Sequence, residues 1–185
     1  MRNHILIIAC TIGVLVACTS KTTDETIELE NIDLLSESDK VMGEWDACAG
    51  MDEETFRRIF EVPASFQMED VSAMNVSKGT CVMIAKDSGG AGVALMVQLM
   101  SLPSTYTIIS NGFMRDFDKV PEDLKIKGLG KAAIWADQQN AKQRGIVVVG
   151  NDHVVSMYIE DKGQRDRSTL QPMLEEYYRH WLKSM

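Results

Sequence analysis

The side chains able to do chemistry in this chain are few and scattered. Outside the first few residues the imidazoles are His153 and His180. A base needs a nucleophile and an orienting acid, and no G-x-S-x-G elbow offers a serine. His153 falls in an expected hairpin turn, and His180 near the end of an expected helix, where a cation suits the dipole, so both read as surface residues. The clusters Asp52-Glu53-Glu54 and Glu175-Glu176 carry the charge for acid–base work or calcium. The first fits a helix N-terminus better, and the second a solvated helix face. Met96 and Met100 would share a strand face without completing a three-thioether copper(I) site, and they read as core filling. Gly130-Lys131 has part of a phosphate loop, but Lys125 stands in the place of its first glycine and Ala132 in that of its Ser or Thr. A turn explains those glycines. No catalytic residue, metal site or cofactor is expected.

The N-terminus is more specific. Arg2 precedes an apolar run from Ile5 to Val16, about a dozen residues against the ~20 a spanning helix needs, so it reads as the core of a signal peptide. Its end, Leu15-Val16-Ala17-Cys18, resembles the lipobox of bacterial lipoproteins. The resemblance implies cleavage before Cys18, a thioether-linked diacylglycerol on that cysteine and a further acyl chain on its new amino group. Several chains are needed because one gives only marginal, reversible membrane binding. Thr19 next to the anchor implies the outer membrane in a Gram-negative host, and otherwise the anchor would sit in the outer leaflet of the plasma membrane.

With Cys10 discarded and Cys18 acylated, Cys48 and Cys81 remain. In an oxidising exported compartment such a pair most often forms a disulfide. Zinc is the competing reading, but no CxxC or neighbouring histidine completes four ligands.

Composition sets broad bounds. Removing residues 1–17 leaves about 168 residues, enough for one domain with a real core. Arg2 is the only formal charge removed, so the net charge goes from −8 to −9. That balance argues against nucleic acid and anionic lipid headgroups as partners.

The elements that must position any site follow in order. Residues 18–40 are acidic, rich in Thr and Ser, and read as an extended tether; residues 41–185 read as one globular domain. Asp52 should cap a helix from Glu53 to Glu61, and a loop should run from there to Gly79. Thr80 to Ala85 and Val93 to Leu102 flank a glycine-rich turn and read as a hairpin. A helix over Thr105 to Lys119 follows, weakened by Asn111-Gly112. Gly128 and Gly130 should turn the chain into a strand at Ala133 to Gln138. A second hairpin joins Arg144 to Val149 with Val154 to Glu160. Leu170, Met173, Leu174, Tyr177 and Trp181 mark a C-terminal amphipathic helix starting at Ser168 or Thr169, with Pro172 tolerable only in its first turn. Trp135, Tyr158 and Trp181 read as core or groove aromatics.

This pattern predicts an α+β domain, an antiparallel sheet flanked by helices. A cysteine before a short helix, a second in the first strand, Gly128-Leu129-Gly130-Lys131-Ala132-Ala133 ahead of Trp135, a hairpin and a closing helix together resemble small bacterial lipoproteins with the Mog1/PsbP-like fold. The resemblance implies an accessory or binding protein and no particular activity. The expectation is therefore a non-enzymatic, membrane-anchored envelope protein that binds a protein or small ligand. The alternatives are an envelope immunity or inhibitor protein, or an enzyme or metal carrier whose site is assembled from residues distant in sequence, His153 among them.

Overall fold

The protein's structure is a computed structural model that describes residues 45–101, 104–138, 143–161 and 165–185. The leader, the Cys18 anchor and the tether of residues 18–40 lie outside the described residues. In chain order the elements are α1 (Glu53–Ile59), β1 (Gln67–Met68), β2 (Thr80–Lys86), β3 (Gly92–Leu99), α2 (Tyr106–Phe117), β4 (Ala132–Gln138), β5 (Gln143–Val149), β6 (Val154–Glu160) and α3 (Arg167–Ser184). The strands form one antiparallel sheet in the order β1-β2-β3-β6-β5-β4. The α+β class expected from the sequence is thus what these residues adopt.

Strand periodicity decides what each face meets, because successive side chains point to opposite sides. One face carries Leu95, Val97, Met157 and Ile159, and it packs under Phe56 of α1, Phe60 just after it, and Leu170, Leu174, Tyr177 and Trp181 of α3. The other carries Ala132, Val147, Val149 and Val154 beneath Tyr106, Phe113 and Phe117 of α2. Covered on both sides, β5 and β6 read as nearly continuous apolar runs. Val82, Ile84, Ala94, Met96 and Tyr158, on the second face of β2, β3 and β6, are only half-buried.

Met96 and Met100 therefore do not fill the core. Met96 lies on the incompletely covered face, and Met100, just past the end of β3, is 46 % exposed. The period-two pattern was legible, but the extent of α2 over the sheet was not.

The helix ends have local causes. Asp52 accepts from the Thr55 N–H at 2.8 Å, with Glu53 and Glu54 in the positive first turn. Asp166 does the same for α3, accepting from the Thr169 N–H at 3.0 Å and the Ser168 hydroxyl at 2.7 Å. The helix consequently begins before Ser168, and Pro172 falls in its second turn rather than its first. One backbone hydrogen bond is lost there, at an exposed position.

The expected loop before β2 contains β1 and a short 3-10 turn, Ser72–Met74. The Asn75 side chain pairs with both backbone groups of Val82, accepting its N–H at 2.7 Å and donating to its carbonyl at 3.1 Å. Beyond β6, the buried Asp161 receives Arg144 at 2.6 Å and Arg165 at 3.2 Å. Arg165 also donates to the Phe60 carbonyl at 2.7 Å, tying the approach to α3 to the end of α1.

Cys48 and Cys81 are joined in a disulfide, as expected, with Cα atoms 5.1 Å apart. It fastens the segment before α1 to β2, beside the hydrogen bond from the Ala47 N–H to the Lys78 carbonyl at 2.7 Å.

Two stability outcomes follow from these placements. Replacing both cysteines by alanine should lower the unfolding free energy by about 3–4 kcal/mol, from loop closure across a separation of 33 residues. An unchanged urea midpoint would refute that role for the bridge. Gly112 sits inside α2, and a Cβ there meets nothing within 4 Å. Gly112→Ala should therefore stabilise the protein by about 0.5–1 kcal/mol, read as a raised melting temperature, and a lowered one would count against an unobstructed site.

Candidate functional site

The last helix and two turns line an open cleft of about 600 Å³. One turn contains Gly128, Leu129 and Gly130, and the other links β5 to β6 through Gly150, Asn151, Asp152 and His153. Trp45, Tyr178, Arg179, Leu182 and Met185 complete the lining.

Each turn has a backbone reason. Gly128 and Gly130 adopt φ of 75° and 63°, which side-chain-bearing residues rarely adopt. The β5–β6 turn closes with the Gly150 N–H on the His153 carbonyl at 2.9 Å. The His153 ring lies directly over Gly150, where a Cβ would come within 2.0 Å of it, so glycine is required for close approach. The Tyr106 hydroxyl donates to the Gly150 carbonyl at 2.9 Å. Lys131 donates to the Tyr106 oxygen at 3.0 Å and the Asn151 carbonyl at 3.1 Å, so the lysine of the glycine stretch braces a turn.

His153 is not a surface residue; it is only 3 % exposed. The turn sends its ring inward, with a centroid 4.6 Å from Trp45 and 5.5 Å from Trp181. Nδ1 lies 3.1 Å from an Asp152 oxygen and Nε2 3.0 Å from the Tyr178 hydroxyl. Burial pushes its pKa below 6.5, since the charged form loses hydration, and Asp152 opposes this only in part. Burial also raises the Tyr178 phenol to about 12, with a smaller contribution from the Asp152 charge. The phenol therefore keeps its proton at neutral pH and acts as a hydrogen-bonding group.

Trp45 reaches this site because its segment is held from two sides. The disulfide fixes Cys48, and Trp181 donates its indole N–H to the Asp46 carbonyl at 3.0 Å while stacking on Trp45 at 5.7 Å. His180 also departs from its expected surface place: half-buried, it donates from Nε2 to the Gly50 carbonyl at 3.0 Å. The tight approach of the residues before α1 to the end of α3 is the reason.

The remaining candidates lie away from the cleft. Asp52, Glu53 and Glu54 serve the start of α1. Glu175 pairs with Arg179 at 3.0 Å and Glu176 with Arg58 at 2.6 Å. Trp135 and Trp181 are core residues, whereas Tyr158 lies across Gly145 on the incompletely covered face. Among the described residues no three His, Cys, Asp or Glu side chains are grouped to hold a metal, and no helix is long and apolar enough to cross a membrane.

Asp152, Tyr178 and Trp45 were not singled out as site residues from the sequence. Tyr178 is eight positions after Leu170, on the edge of the helical stripe, and Asp152 is adjacent to the one histidine of the turn. Those spacings were visible, but the inward ring of His153 that joins them was not.

The folded protein takes up the His153 proton less readily than the unfolded chain does. Stability should therefore fall as pH drops below about 6.5, until the lowered folded-state pKa is passed. Urea midpoints between pH 7.5 and 5.0 should decline more for the parent than for His153→Gln, and equal slopes would refute the assignment. Set against models of known families, curated proteins and solved structures, the chain has no match.

Proposed function

We propose that this chain is a lipid-anchored protein of the bacterial cell envelope, acylated at Cys18, whose domain binds a small ligand or a partner's side chain without catalysing a reaction. The observation that carries the binding role is the cleft. Its volume of about 600 Å³ lies in the usual range of small-molecule sites, roughly 300–1,000 Å³. Leu182 and Met185 give it apolar surface, and Asp152, Tyr178 and Asn151 give it hydrogen-bonding groups.

Support for the envelope comes from separate features. Leu15-Val16-Ala17-Cys18 after an apolar run resembles the lipobox at which lipoprotein signal peptides are cut. The Cys48–Cys81 disulfide suits an oxidising, exported compartment. Thr19 favours the outer membrane in a Gram-negative host. A six-stranded antiparallel sheet with helices on both faces is compatible with the Mog1/PsbP-like fold we assign to the domain, which carries accessory and binding roles.

The test is the intact mass of protein extracted from membranes, beside a Cys18→Ala variant. The parent should carry the mass of at least two acyl chains and start at residue 18. The variant should lose both that mass and its sedimentation with membranes. An unmodified parent that stays soluble would overturn the anchor.

A further inference from the structure

We infer that the cleft selects an organic ammonium ion, a protonated amine on an apolar or aromatic body, held by Asp152, the Tyr178 oxygen and the ring of Trp45. This rests on the reading of the cleft as a binding site, and it names the ligand class.

The direction of the hydrogen bonds carries the argument. A carboxylate only accepts, so the His153 nitrogen beside Asp152, Nδ1 at 3.1 Å, bears the hydrogen. Burial keeps the imidazole neutral, which leaves Nε2 with a lone pair. The Tyr178 hydroxyl, 3.0 Å from Nε2, must then be the donor. Its single hydrogen points to the histidine, and the oxygen offers only lone pairs to a ligand. Asp152, with its side chain 68 % exposed, likewise offers acceptors alone.

The two cationic side chains nearby are already paired. Lys131 holds the Tyr106 oxygen and the Asn151 carbonyl, and Arg179 is paired with Glu175 at 3.0 Å. A ligand carboxylate would meet Asp152 as a like charge, whereas the N–H groups of an ammonium complement both acceptors. Trp45 adds an indole face, the best aromatic partner for a cation. Leu182 and Met185, about 40 % exposed, give the organic body a place to lie. The net charge of −8 further favours cations near the protein.

The experiment uses the full chain in a non-ionic detergent at pH 7.5. Phenethylammonium, the neutral isostere 2-phenylethanol and the anion 3-phenylpropionate are titrated while the indole N–H resonance of Trp45, assigned with Trp45→Phe, is followed. Phenethylammonium should shift that resonance and bind about tenfold tighter than 2-phenylethanol, the factor that about 1.4 kcal/mol gives. Asp152→Asn should abolish that preference and leave the weak binding of the alcohol intact. Equal or tighter binding of the alcohol or the carboxylate would overturn the ammonium assignment while leaving the cleft a binding site. No shift with any of the three would overturn both the assignment and the binding reading.

Discussion

Burial of the inner stripe of α3 against the sheet is the interaction on which the rest depends. Leu170, Leu174, Tyr177, Tyr178 and Trp181 are all at most 3 % exposed, each side chain of this kind contributing roughly 1.5–3 kcal/mol when removed from water. Without that packing α1 has no roof, because Phe60 lies against Tyr177. The segment before α1 would also lose the indole that holds the Asp46 carbonyl. The cleft is a by-product of the same packing. Tyr178 reaches it from the edge of the stripe, and Leu182 and Met185 line it from the end of the helix.

Tyr177 shows how completely packing dominates here. Its hydroxyl is buried with no hydrogen-bond partner among the described residues, and burial raises its pKa strongly, with a smaller push from Asp52. Leaving a hydroxyl unpaired costs on the order of 1–3 kcal/mol. The ring surface beside Phe60 evidently outweighs that loss. By contrast Tyr178, one residue on, has its hydroxyl satisfied by His153. Two adjacent tyrosines thus divide into one that only fills space and one that arranges protons.

Most of the fold was legible because it is written in local rules. Asp52 as a cap, the alternation in β2 and β3, the glycines between them, and the stripe from Leu170 to Trp181 each announce an element through spacing and residue type. What escaped was set by neighbours distant in sequence. The two residues of β1 have no pattern of their own and exist because the edge of β2 recruits them. Met96 follows the alternation of a covered face, yet α2 reaches over β4 to β6 and leaves it half-exposed. The site was the least legible part. The turn at Gly150 to His153 was expected, but nothing local tells that its histidine folds inward, and a cleft with walls from Trp45 to Met185 has no linear signature.

The edge of β2 carries a consequence for how copies of this molecule meet. An outer strand with unpaired backbone groups is a template on which another chain can polymerise. Here β1 pairs with Ala85 and Lys86, the Glu69 N–H takes the Ile84 carbonyl, and the Asn75 amide occupies both groups of Val82. At the opposite edge the Ile126 N–H takes the carbonyl of Ala133. An apolar sheet with one half-open face would otherwise be prone to stack strand on strand into fibres. A single side-chain amide, placed at the stretch β1 does not reach, closes that part of the β2 edge to self-templating.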